Sequence, residues 1–109
     1  MRIRQLAFAT HDLAVARYQL FALLGLDADF SDPGVAEFGL HNSVVATGTS
    51  FLEIVSPFEG NTAVSRMLDR MHGDCGYMVL FQVDDLAPVN ERVEQLCLRK
   101  IWQVERAEV

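Results

Sequence analysis

The chain has 109 residues, half of them hydrophobic, with nine Lys and Arg against fifteen Asp and Glu for a formal charge of −6. That size and composition predict one globular domain with a modest core and exclude a disordered chain. The acidic balance and the scattered arginines argue against a nucleic-acid partner, whose phosphates require clustered cations.

No run approaches the roughly 20 apolar residues that cross a bilayer, so no membrane partner is expected. The first ten residues, MRIRQLAFAT, read as a strand and not as a signal peptide. Cys75 and Cys97 form neither a CxxC pair nor a disulfide framework. Free thiols and a cytoplasmic location are the expectation.

Residues 3–9 alternate as a strand, with Leu6 and Phe8 directed at the helices and Gln5, Ala7 and Ala9 on the other face. Thr10 or Asp12 caps a helix in which Leu13, Ala16, Leu20, Leu23 and Leu24 recur at helical spacing until Gly25. A short extended piece at 26–30 leads into the turn Asp32-Pro33-Gly34. Extended runs are then expected at 35–40, 43–47 and 51–56. The pairs His41-Asn42 and Gly48-Thr49 would join them as antiparallel hairpins.

Asn61 or Thr62 caps a second helix carrying Val64, Met67, Leu68 and Met71, ended by Gly73. Residues 77–83 are apolar on both faces, which predicts a central strand. Asp84 or Asp85 caps a third helix with Pro88 in its first turn and an apolar stripe of Leu86, Val89, Val93 and Leu96. A last short strand is expected at 101–104.

Two segments echo each other: QLAFATHDLA at 5–14 and MVLFQVDDLA at 78–87. Each is a strand, an acidic cap and a Leu-Ala pair opening a helix, which suggests two copies of one unit. With QLAFATHDL and its helix, FLEIVSP, and NTAVSRMLDRMHGDCGYMVLFQVDDL in this order, the sequence resembles the vicinal oxygen chelate superfamily. That group includes glyoxalases, epimerases, extradiol dioxygenases and bleomycin-resistance proteins.

The resemblance implies an α+β fold of paired βαβββ modules around a shared cavity. It makes 1–109 a single domain, with a first module at 1–57, a connecting helix at 58–75 and the start of a second module at 76–109. The second module lacks its closing strands. Either a partner chain completes the sheet or the sequence is a piece of a longer protein; an unfinished apolar sheet edge favours association, so a homodimer or larger assembly is expected.

Alternation puts Phe51, Glu53 and Val55 on one face of the 51–56 strand. A carboxylate between apolar neighbours is costly unless it is paired, protonated or bound to a cation. Glu53 is therefore the candidate catalytic residue, and Phe51, Val55, Met78 and Leu80 are the candidate substrate-binding wall. The resemblance implies metal ligands at Gln5 and Glu53, oxygen donors suited to one divalent ion. It also places Met78, a poor ligand for such an ion, where the family has a histidine. Among the histidines, His41 is the best placed for a cavity mouth.

Three functions are open. One is a metal-dependent lyase, isomerase or dioxygenase-like enzyme, with Glu53 as ligand or proton shuttle. Another is a metal-free small-molecule binder of the antibiotic-sequestering kind, favoured by Met78 and the apolar wall. The third is a non-catalytic module whose sheet serves assembly.

Overall fold

The computed structural model describes residues 1–104. Its elements are β1 (Arg2–Ala9), α1 (Leu13–Leu24), a 3-10 helix (Pro33–Phe38), β2 (Leu40–Thr47), β3 (Ser50–Pro57), α2 (Ala63–Met71), β4 (Cys75–Gln82) and α3 (Ala87–Gln95). The strands form one mixed sheet in the order β2-β3-β1-β4. β1 runs parallel to β3 and antiparallel to β4, while β2 and β3 form an antiparallel hairpin. The mixed α+β architecture is as expected.

Local chemistry explains the boundaries. Asp12 stays extended after β1, and its Oδ1 accepts from the Val15 N–H at 3.1 Å to start α1. Gly25, at φ 66°, ends that helix in the left-handed region. Thr62 starts α2 by accepting from the Ser65 N–H at 3.0 Å, and His72 ends it one residue before the expected Gly73. Asp85 accepts from the Ala87 N–H at 3.0 Å ahead of α3.

Three expectations are corrected. Residues 35–40 are not a strand. Asp32 and Pro33 nucleate the 3-10 helix, with Asp32 Oδ1 accepting from the Gly34 N–H at 2.9 Å, and Gly39 at φ 73° turns the chain into β2. The first of the three extended pieces is instead Phe30, which bridges Val44, and His41-Asn42 lies within β2. Residues 77–83 do not make a central strand among the described residues, because β4 lies at the sheet edge. Residues 101–104 form no strand; Trp102 packs edge-on against Phe38, with ring centroids 5.4 Å apart.

Phe8 faces α1 as expected, with Val45 and Ile54 buried on that side of the sheet, but the main buried cluster lies on the opposite face. Ala9 and Val55 pack with Leu40 and with Val64 and Leu68 of α2, while Phe8 is partly exposed. Ala9, 1 % exposed, is filled over by this cluster and leaves no room there. α1 crosses the other face, and no residue of α1 or α3 is buried. The expected apolar stripe of α3 therefore finds no partner among the described residues.

Candidate functional site

Sheet register assembles the site. β1 and β3 pair Gln5 with Phe51, Ala7 with Glu53 and Ala9 with Val55. The hairpin pairs Asn42 with Val55 and Val44 with Glu53. Residues opposite each other share a face, so Gln5, Ala7, Asn42, Phe51 and Glu53 lie on one surface. On the β4 side, Leu80 pairs with Gln5 and Met78 with Ala7, and a register shift beside Ala7 brings in Tyr77.

At its centre, the half-buried Glu53 is held by two amides. Gln5 Nε2 donates to Oε1 at 2.8 Å, and Asn42 Nδ2 donates to Oε2. Asn42 is only 3 % exposed. Its Oδ1 accepts from the Asp32 N–H at 2.9 Å, and its backbone carbonyl accepts from Ser31 Oγ at 3.2 Å. The loop before the 3-10 helix thus orients Asn42, and Asn42 orients Glu53. Among the described residues no buried side-chain polar atom lacks a partner.

Tyr77 belongs to the same surface. Burial raises its phenol above the ordinary 10.0, and the charge of Glu53 raises it further.

The structure brings together most of the expected residues. Gln5 and Glu53 are hydrogen-bonded, and Phe51, Met78 and Leu80 share their face by register. Val55 is corrected: at 2 % exposed it fills the core beneath α2 and offers a ligand no surface. His41 is also out of reach. It pairs with Ser56 on the opposite face and packs edge-on against Phe58. Asn42, read as a turn residue, lies instead within β2 on the Glu53 face, whereas Tyr77 packs against the core cluster as expected and also feels the Glu53 charge. Asn42 sits two residues before Val44 in an apolar run, and that period-two signal marks a polar side chain on the inner face.

The donors present do not by themselves fit a divalent ion. Both Glu53 oxygens already accept from amides, Gln5 presents its nitrogen, and Met78 offers a thioether. No three His, Cys, Asp or Glu side chains come together among the described residues. Hard cations call for about six oxygens, and zinc for four N, S or O donors.

The Glu53 face is open. A cavity of about 420 Å³ lies on the other side of the sheet, against α1, between Phe8, Ala16, Leu20, Leu23 and Ile54. A second, of about 260 Å³, lies along β1 and β4 at Ala7, Tyr77 and Met78. Neither includes Glu53. The larger is mostly apolar, with Thr10, Gln19, Asp74 and Cys75 also on its wall, whereas the convergent side-chain hydrogen bonds are those at Glu53.

Solved structures share this arrangement of elements. Methylmalonyl-CoA epimerase from Mycobacterium tuberculosis superposes with a TM-score of 0.79 at 18% identity, over 97% of this chain and 71% of that one. The Streptomyces coelicolor methylmalonyl-CoA epimerase, in complex with 2-nitronate-propionyl-CoA, gives 0.79 at 19% over 99% and 80%. A hypothetical protein from Bacillus halodurans gives 0.72 at 11% over 88% and 66%. The chain has the fold of these epimerases. No protein-family profile and no curated protein matches the sequence. Among the described residues, no helix is long and apolar enough to cross a membrane.

Proposed function

We propose that this chain is a glyoxalase-like isomerase module of the vicinal oxygen chelate superfamily, with Glu53 moving a proton at the carbon beside a carbonyl. The observation that carries this reading is the Glu53 carboxylate, with each oxygen fixed by a separate amide, on the sheet face of an epimerase-like fold. Solved neighbours hold coenzyme A thioesters or analogues of them, so an acyl thioester is the proposed ligand class.

In the proposed step Glu53 takes the α-proton, and the C–H electron pair passes to the carbonyl oxygen to give an enolate. Gln5 and Asn42 hold the carboxylate in one orientation, which removes rotamer searching from the barrier. Ala7, opposite Glu53, leaves room for the reacting carbon. Tyr77 supplies a neutral O–H for the developing oxyanion. Return of the proton from Glu53 restores the starting ligand, while protonation of the opposite enolate face by solvent inverts the carbon, the hydroxide so formed taking the proton from Glu53. No step of this scheme runs through a divalent ion, since Gln5 presents its nitrogen and both Glu53 oxygens accept from amides.

The test is α-hydrogen exchange of methylmalonyl-CoA in D2O, followed by mass spectrometry. Wild type is expected to exchange, and Glu53→Gln to do so at least 10²-fold more slowly. Absence of exchange above buffer, with and without added divalent metal, sinks the isomerase.

Met78 and the apolar Phe51–Leu80 wall favour a second reading, a metal-free small-molecule binder. Stabilisation by the thioester without exchange selects that reading. We further propose a homodimer, because the Glu53 face has no second wall among the described residues. Free Cys75 and Cys97 favour a cytoplasmic setting.

A further inference from the structure

We propose that Arg2 and Arg4 form an anion-binding end of the Glu53 face, taking a phosphate or carboxylate of the ligand. The occupant of that face rests on the function proposed above; the affinity for an anion does not.

Three observations meet here. The chain carries fifteen acidic side chains, yet the one ion pair among the described residues is Arg17–Asp29. Arg2 and Arg4 instead converge on a single neutral acceptor, the Thr49 carbonyl at the β2–β3 turn. Arg2 Nη2 also donates to Thr49 Oγ1 and Ser50 Oγ, each at 3.0 Å. Two guanidinium groups meeting on one carbonyl repel each other, and among the described residues no carboxylate pairs with either. A bound anion would, through charge-assisted and bidentate hydrogen bonds.

The pair is also held in place. The Arg4 guanidinium lies over the Phe51 ring, 4.7 Å from its centroid, and Phe30 meets Phe51 edge-on at 6.3 Å. This contact restrains the Arg4 guanidinium beside Phe51 on the Glu53 face. Phe51 precedes Glu53 by two residues on the same face, a separation of about 7 Å at strand rise. α2 closes the opposite end of this face at Ala9 and Val55. A ligand therefore has one orientation in which its reacting carbon reaches Glu53 and its anionic group reaches the arginines.

Calorimetric titration tests this with four probes: inorganic pyrophosphate, propionyl-CoA, neutral S-propionyl-pantetheine and S-succinyl-pantetheine with its carboxylate. Wild type should bind at least one charged thioester about tenfold or more tighter than the neutral one, with the advantage shrinking at high salt. Arg2→Gln/Arg4→Gln should bind all three thioesters alike and lose pyrophosphate. A gain confined to propionyl-CoA assigns the phosphates, and one confined to the succinyl probe assigns the carboxylate.

A double variant that melts like wild type and binds every probe as tightly overturns the proposal. So does a wild type that ignores pyrophosphate and does not prefer charged thioesters. If the double variant fails to fold, Arg4→Gln alone carries the comparison, with Arg4→Lys expected to restore part of the affinity. Pyrophosphate binding without α-hydrogen exchange refutes the proposed reaction and leaves the anion site standing.

Discussion

Asn42 is the residue on which the site's geometry turns. Removing its side chain in Asn42→Ala frees the Asp32 N–H and one oxygen of the half-buried Glu53 in a partly buried setting. Each unpaired group costs about 1–3 kcal/mol, so a loss of at least about 2 kcal/mol is expected in urea unfolding, with exchange activity reduced. Tyr77 offers a separate readout. The chain has two tyrosines, and Tyr18 is largely exposed. Phenolate absorbance should resolve a Tyr77 transition above the ordinary 10.0, held there by burial first and by Glu53 second. Glu53→Gln should move it downward, and a Tyr77 midpoint unchanged in that variant would separate the two residues.

Asp29 carries a third effect. Hydrogen bonds from Arg17 and then Ser43 hold its carboxyl at about 2, below the ordinary 3.8. A depressed carboxylate stabilises the fold above its unfolded value and loses that contribution as pH falls through the folded one. The advantage of wild type over Asp29→Asn should therefore be full above pH 4 and gone near pH 2. Its size is about 1 kcal/mol, because the pair is partly solvated.

At the scale of elements, the same residues explain both what the sequence made legible and what it concealed. Helix boundaries were readable because Asp12, Gly25 and Thr62 act through their own side chains or backbone freedom within one turn. Glu53 was readable because alternation isolates it between Phe51 and Val55. The 35–40 segment was not, since its short apolar run suits either a strand or a 3-10 turn, and distant contacts decide. Gly39 is where they decide. A methyl there would meet Thr62 Cγ2 at 2.9 Å and Glu59 Oε2 at 3.1 Å, at φ 73°; at Gly25 it would meet nothing within 4 Å, at φ 66°. Gly25→Ala therefore costs only the left-handed backbone, roughly 1–2 kcal/mol. Gly39→Ala adds overpacking of about 1–3 kcal/mol. Thermal melts should rank Gly39→Ala well below Gly25→Ala, and an equal loss would mean that α2 shifts freely.

At the scale of the molecule, the fold was legible from the order of its segments, but the partner of the exposed apolar surface was not, because a strand pattern does not specify its neighbour. The radius of gyration is 15.3 Å, against about 13 Å for a compact chain of this length. Phe8, Leu23, Val79, Phe81 and Leu96 are all exposed. β4, CGYMVLFQ, is an edge strand of eight residues without a charge or a proline to block pairing. Two copies of one edge can pair antiparallel about a two-fold axis, each offering the same donors and acceptors. Such pairing would extend the sheet beside Tyr77, Met78 and Leu80 and so begin to wall the Glu53 face. Wild type is therefore expected to sediment at twice its 12.2 kDa mass or more. Val79→Lys/Phe81→Lys places like charges along the edge and should shift the equilibrium toward monomer at least tenfold. Because neither residue touches Glu53, exchange activity lost with dimerisation and recovered at high protein concentration would tie the site to the assembly. A wild type that remains monomeric at micromolar concentration while exchanging the α-hydrogen would show that the open face works alone.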